Sequence, residues 1–152
     1  MYHVLLVSHS WVRWLVLASL VFAISRAYNG YTSKSTFSRT DNGIRHWTAT
    51  IAHIQLVIGI LLYFQSPLIK YIMASLKGNL QQFELAFFGL IHGSLMLAAI
   101  VVVTIGSAKS KREQIDTHKF KTMLVWYAIA LGIMLIAIPW PFSPLATRPY
   151  LR

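Results

Sequence analysis

The chain alternates between long apolar runs and short polar, mostly basic segments. Four runs are long enough to cross a bilayer as helices, which takes about 20 mostly apolar residues. They lie at about Val4–Ser25, Trp47–Phe64, Phe83–Ile105 and Thr122–Trp140. The pattern predicts an all-α integral membrane protein. Residues 1–152 are expected to form one domain, an up-down four-helix bundle with short connections.

The segments between the spans carry signals of their own. Pro139 and Pro141 are expected to end the fourth helix, because proline has no backbone N–H and restricts the residue before it. Ser66-Pro67 is suited to cap and begin a short amphipathic helix that reaches Leu76 and lies on the membrane surface. The stretch from Tyr28 to Gly43 is rich in Ser, Thr, Asn and Gly and is expected to be an irregular loop.

Composition agrees with a membrane protein. Only 12% of the residues are charged and 56% are hydrophobic, whereas soluble domains carry about 25% charged residues. The chain has no cysteine, which excludes disulfides, thiolate metal sites and covalent c-type haem. No small-residue cleavage site follows the first apolar run, so we expect no signal peptide.

The net charge of +10 is unevenly distributed between the connecting segments. The first and third loops hold nine basic residues: Arg26, Lys34, Arg39, Arg45, Lys109, Lys111, Arg112, Lys119 and Lys121. The second loop and the C-terminal tail hold four: Lys70, Lys77, Arg148 and Arg152. Basic residues stay on the cytoplasmic side, so both termini are expected outside, in a bacterial inner membrane. Because these charges flank apolar spans, nucleic acid is excluded as a partner.

Histidine is the main ionisable chemistry within the spans. A histidine inside a bilayer is costly and usually functional. Counting 1.5 Å per helical residue places His9 and His92 together in the outer half of the first and third spans. It places His53 and His118 in an inner group on the second and fourth spans. Imidazole is a common axial ligand of haem iron, so the arrangement fits one or two bis-histidine b haems, with the outer pair better matched in depth.

The alternative for each histidine is a hydrogen bond to a neighbouring helix. Arg13 lies four residues after His9 and therefore on the same helical face. Its partner is expected to be either Glu84 or a ligand group, such as a haem propionate or a quinone oxygen. Gln55 is expected to bind a helix neighbour, and Gly89 and Gly93 are expected to allow close helix packing.

Four short patches of the chain resemble a group of small bacterial four-helix membrane proteins labelled cytochrome b-like, and the resemblance extends over nearly the whole chain. The patches are His9-Ser10 with Arg13-Trp14, Ala52 to Leu56 with Gly59, His92 with Met96, and His118-Lys119 leading to Ile138 through Phe142. The resemblance implies b-type haem bound through His9, His53, His92 and His118. One departure is Ile91, which stands where an acidic residue is expected directly before the third-span histidine.

The leading hypothesis is therefore a b-type haem protein that moves electrons within the membrane, to or from quinone, as an electron-transfer subunit of a membrane oxidoreductase. In this hypothesis Arg13 steadies a propionate or a quinone oxygen. The alternative is a non-haem accessory subunit that packs against a larger respiratory or transport complex; a homo-oligomer is the other protein assembly expected. A third hypothesis is a proton or small-solute conduit lined by His53 and His92, which the scarcity of carboxylates disfavours.

Overall fold

The computed structural model describes residues 1–74, with side chains to residue 71, and residues 87–140. Helix α1 spans Tyr2–Thr32, α2 Arg39–Gln65, α3 Pro67–Ala74, α4 His92–Arg112 and α5 Asp116–Ala137. A π-helical turn, Phe87–Ile91, leads directly into α4. No strand occurs in these two ranges, so the all-α prediction is confirmed there.

Four helical segments are long and apolar enough to cross a membrane: α1, α2, Phe87–Arg112 and α5. This confirms the four predicted spans. Many large apolar side chains on their outer faces are exposed, among them Trp11, Phe22, Phe64 and Ile136. Lipid is the natural contact for such faces, because a bilayer solvates apolar side chains as well as a protein core does.

Neighbouring long helices run in opposite directions. From α2 to α1, Thr48 Oγ1 donates to the Ser19 carbonyl (3.4 Å), and seven residues further along α2 Gln55 reaches back to His9. Helix α1 packs on α2 and α5, and α4 also packs on α2 and α5. The bundle is therefore a ring of four antiparallel neighbours, in which α1 lies across from α4 and α2 across from α5.

We call the end of the bundle formed by the α1–α2 and α4–α5 connections the loop end, and the end that holds Met1 and Trp140 the terminal end. Apart from Phe87 and Ile138 near the terminal end, the largest buried apolar side chains lie towards the loop end. Leu20, Val103, Phe120, Met123 and Tyr127 are fully buried there. Fully buried alanines, Ala23, Ala27, Ala52, Ala99 and Ala130, let the helix backbones approach closely, as is common between membrane helices.

The helices extend beyond the apolar runs, and the predicted irregular loop from Tyr28 to Gly43 is mostly wrong. Helix α1 continues to Thr32 and α2 already begins at Arg39. A capping box explains the early start, because Ser38 Oγ accepts from the Asp41 N–H (3.2 Å) while the Asp41 carboxylate accepts from the Ser38 N–H (2.9 Å). At 31 residues, α1 is about 46 Å long at 1.5 Å per residue, which exceeds the roughly 30 Å apolar thickness of a bilayer.

Two other boundaries differ in the same direction, whereas α5 ends at Ala137, three residues before the predicted Trp140. The third long helix continues to Arg112 instead of ending near Ile105, and α5 starts at Asp116, before the predicted Thr122. Apolar runs mark the part of a helix that lipid surrounds, whereas backbone hydrogen bonding continues into the polar interface. The predicted short helix after Ser66 is found as α3; its predicted end at Leu76 lies outside the described residues.

A buried polar network at the loop end was not predicted from the sequence. Arg45 is only 5% exposed, and its guanidinium donates to both oxygens of Ser107 and to Asn42 Oδ1. The Tyr127 hydroxyl donates to the Arg45 carbonyl (2.7 Å). These contacts join α2, α4 and α5 through hydrogen bonds that satisfy a buried charge.

Candidate functional site

At the terminal end, His9 of α1 and His92 of α4 face each other across the bundle. Their ring centroids are 6.5 Å apart and the ring planes are inclined by 68°. The sequence predicted this proximity by counting residues along two spans. The role of the two rings as ligands stays a prediction.

The orientation of His92 is set by the end of α5. His92 Nδ1 lies 2.8 Å from the Ala137 carbonyl oxygen, which can only accept, so Nδ1 carries the proton. That carbonyl has no helical donor, because the residue four positions on is Pro141, which lacks an N–H. With its proton on Nδ1, a neutral His92 presents an unprotonated Nε2, the arrangement typical of metal-ligating histidines.

A second freed carbonyl positions Trp140. Pro139 has no N–H to offer the Leu135 carbonyl, and Trp140 Nε1 donates to that oxygen instead (2.8 Å). The Trp140 ring packs edge-on against Trp14 of α1, with centroids 5.9 Å apart. The two prolines thus do more than end α5, because they also place an indole and an imidazole at the terminal end.

The π-helical turn Phe87–Ile91 lies immediately before His92. Single π turns are rare and often mark functional sites. The Tyr63 hydroxyl of α2 donates to the Gly89 carbonyl inside this turn (2.8 Å). Phe87 and Phe88 lie beside the imidazole, with centroids 6.0 and 6.5 Å from that of His92. The turn therefore surrounds one side of His92 with aromatic rings.

Helix α2 contacts His9 of α1 through Gln55 and Gly59. Gln55 Nε2 lies 3.0 Å from the His9 carbonyl oxygen and 3.2 Å from His9 Nδ1. A Cβ added to Gly59 would lie 3.3 Å from His9 Cε1, so only glycine leaves the ring its present room. Gln55 binds a helix neighbour as predicted, and that neighbour is the candidate ligand itself. Its Oε1 is buried with no hydrogen-bond partner among the described residues.

Arg13 completes the cluster. It is half-buried, lies close enough to interact electrostatically with both His9 and His92, and has its guanidinium carbon 5.5 Å from the centroid of the Trp14 ring. The predicted pairing with Glu84 falls outside the described residues. The helical spacing of four residues accounts for Arg13 lying on the same face as His9.

The inner pair, His53 and His118, is not brought together. Both ring nitrogens of His53 have protein partners, the Ala49 carbonyl (2.7 Å) and Thr104 Oγ1 (3.1 Å). His118 has a 57% exposed side chain, 4.0 Å from Glu113. No contact joins the two histidines in the described ranges. Their role as a second ligand pair therefore stays a prediction, while His53 forms the helix-to-helix contact that was its alternative.

Met96 and Gly93, two residues of α4 close to His92, have different surroundings. Met96 packs against the apolar core, as a methionine usually does. A Cβ added to Gly93 would meet nothing within 4 Å, so the close packing expected around this glycine is not found. Close approaches occur instead at Gly30 against Phe120, at Gly106 against Trp126 and at Gly59 against His9, and of these three the sequence analysis named only Gly59, as part of the family resemblance.

Helices α1, α2 and α4 enclose the cluster less completely than they enclose the core, whereas Phe87, Ala137 and Ile138 beside it are buried. Val16 and later residues supply most of the buried positions of α1, those of α2 end at Ala52, and those of α4 begin at Ala99. His9, Gln55 and His92 all lie on the terminal side of these limits and are only partly buried. No group of three metal-ligating side chains occurs in the part of the chain that the structure describes. The donor set is thus two imidazoles with a nearby guanidinium.

Fold and site together define a bundle with four potential membrane-spanning helices and a facing histidine pair near one end. Comparisons with protein-family models, curated proteins and solved structures find no match to this chain. The functional interpretation therefore rests on the contacts described above.

Proposed function

We propose that this protein binds one b-type haem between His9 and His92 and transfers electrons within the membrane. The observation that carries the proposal is the pair of imidazoles facing each other across the bundle, with ring centroids 6.5 Å apart. Quinone, which is dissolved in the same bilayer, is the proposed redox partner. A second haem on His53 and His118 is not part of the proposal, because no contact supports it.

The donor set fits haem better than a bare metal ion. Protein sites for single transition metals use at least three side chains, whereas haem, which brings its own ring nitrogens, would need only imidazoles such as these two from the protein. His9 and His92, whose ring centroids are 6.5 Å apart, would supply those imidazoles from opposite sides of the bundle.

Each neighbouring residue has a role in this proposal. The Ala137 carbonyl fixes the tautomer of His92 so that Nε2 can bind iron. Ligation through His9 Nε2 needs the same tautomer, and it requires Gln55 to leave its present position, because Gln55 Nε2 donates to the His9 carbonyl oxygen (3.0 Å) and a turned amide would bring Oε1 against that oxygen. Arg13 supplies positive charge for a propionate. The bound haem supplies one-electron chemistry between ferric and ferrous iron.

Charge distribution supports an orientation for the bundle. The loop end carries nine of the basic residues, which favours its placement in the cytoplasm and that of the terminal end outside. This proposal includes location in a bacterial inner membrane. The cysteine-free chain allows a direct test with Thr36→Cys and Lys70→Cys, both at exposed positions. An impermeant thiol reagent added to intact cells should label Lys70→Cys alone, whereas labelling of Thr36→Cys alone would reverse the orientation.

Ligand variants test the haem proposal. Protein is expressed in a haem-sufficient host, and haem per chain and spin state are measured for His9→Ala, His92→Ala and the control His46→Ala, whose side chain is exposed. We expect either ligand variant to lose haem or to become high-spin, and the control to match the wild type. Unchanged haem content and spin state in both ligand variants would refute the assignment. Protein that is colourless in every variant and in the wild type would favour the accessory-subunit alternative.

A further inference from the structure

A polar pocket opens at the loop end, far from the histidine pair. It has a volume of about 220 Å³ and lies between the segment that begins α2, the end of α4 and the start of α5. Three cations line it, Arg39, Lys111 and Lys119, together with the amide of Asn42. Three chain segments thus converge on one concave and strongly basic site.

The positive charge of this pocket is only partly balanced. Lys119 Nζ forms an ion pair with Asp116 (2.8 Å), and the nearby Asp41 is engaged by Arg26 and Ser38. Neither Arg39 nor Lys111 forms an ion pair within residues 1–71 and 87–140. Two exposed cations therefore remain available to an anion that enters the pocket.

Counting residues along α2 places the pocket close to the outer edge of the lipid headgroup layer. Trp47, which is 62% exposed, is placed where an interfacial aromatic anchor is expected. Asn42 and Arg39 precede it by five and eight residues, or about 8 and 12 Å along α2 at 1.5 Å per residue. A headgroup layer extends roughly 5–8 Å beyond the apolar core on each side. Asn42 is thus level with the outer edge of the headgroup layer, and the backbone of Arg39 lies about 4 Å beyond it, within the length of an arginine side chain.

We propose that this pocket binds a phosphate group, and that an anionic phospholipid of the surrounding leaflet supplies it. Basic pockets between membrane helices are suited to lipid headgroups because each nearby cation attracts the anionic lipid. Asn42 and the lysine ammonium groups provide donors for the phosphate oxygens. The proposal does not depend on haem binding.

Lipid binding to the purified protein tests this directly. The protein in neutral detergent is titrated with phosphatidylglycerol, phosphatidylcholine or inorganic phosphate at constant ionic strength, and the unfolding midpoint reports binding. The test variant is Arg39→Gln with Lys111→Gln. The matched control is Arg112→Gln with Lys121→Gln, which removes the same two residue types from exposed positions at the same end.

We expect phosphatidylglycerol to bind the wild type and the control alike, and the test variant about 30-fold more weakly, from about 1 kcal/mol per cation removed. Phosphatidylcholine should bind weakly to all three. If inorganic phosphate binds with the same dependence on Arg39 and Lys111 and phosphatidylglycerol does not, the phosphate site stands and its source is a soluble anion. Equal losses in the two double variants, or no binding of either anion, would overturn the proposal.

Discussion

Replacing Gly59 with alanine tests the contact between α2 and His9. The new Cβ would lie 3.3 Å from His9 Cε1 and 3.7 Å from Nδ1, whereas carbon atoms in favourable contact lie about 3.5–4.0 Å apart. The imidazole must therefore shift by a few tenths of an ångström. The structure offers a matched control in Gly132→Ala of α5, where a Cβ would meet nothing within 4 Å.

Two opposing effects set the stability of Gly59→Ala. Alanine in place of glycine within a helix stabilises by roughly 0.5–1 kcal/mol, and Gly132→Ala should show that whole gain. Pressing on the His9 ring costs about 1 kcal/mol, at the low end for overpacking. We therefore expect the free energy of unfolding of Gly59→Ala to stay near that of the wild type and below that of Gly132→Ala.

Gly59→Ala and Gly132→Ala should also differ in their affinity for haem. A displaced His9 ring that loses about 1 kcal/mol of ligation weakens haem binding roughly fivefold, whereas Gly132→Ala should bind as the wild type does. Unfolding in detergent and titration of the haem-free protein, followed by Soret absorbance, measure the two quantities. If Gly59→Ala gains as much stability as Gly132→Ala and binds haem unchanged, the described contact with His9 is wrong.

Three further changes probe other parts of the structure. Ser38→Ala removes the capping box with Asp41 and should lower the free energy of unfolding by about 1 kcal/mol; no loss in denaturant unfolding would contradict that cap. Tyr127→Phe leaves the buried Arg45 carbonyl without its hydroxyl donor and should cost about 1–2 kcal/mol in the same assay, so a neutral result would argue against the loop-end network. Arg13→Leu should lower the midpoint potential of the bound haem, because a nearby cation favours the reduced state, whereas Arg13→Lys should leave the potential close to that of the wild type. A redox titration that shows the wild-type potential in Arg13→Leu would exclude Arg13 from the site.

The sequence was sufficient to predict the spans because membrane helices are recognised by length and apolarity alone. It was insufficient to predict where α1 ends and where α2 begins. The polar composition between Tyr28 and Gly43 suggested a loop, but the pairing of Ser38 with Asp41 starts a helix within it. That pairing is visible in the sequence as a Ser followed three residues later by an acidic residue.

The candidate site was only partly predictable. Depth along a helix follows from counting, so His9 and His92 could be matched. Rotation of each helix about its axis sets which side chains meet, and it depends on packing along the whole bundle. The contacts of Gln55 and Gly59 with His9 therefore had to come from the structure.

Other local signals were present in the sequence and were missed. Pro141 lies four residues after Ala137, which indicates a carbonyl without a helical donor at the end of α5. The burial of Arg45 had no such signal, because its partner Ser107 is 62 residues away in the chain. Long-range hydrogen bonds of this kind cannot be read from the local pattern of one sequence.

The visible spectrum of the wild-type protein tests the central claim most directly. The protein is purified from a haem-sufficient host, and spectra are recorded as isolated and after reduction with dithionite. Ligation by His9 and His92 predicts a sharp Soret band, distinct α and β bands on reduction, and about one haem per chain. A protein that has no Soret band and does not acquire one when haem is added would contradict the account.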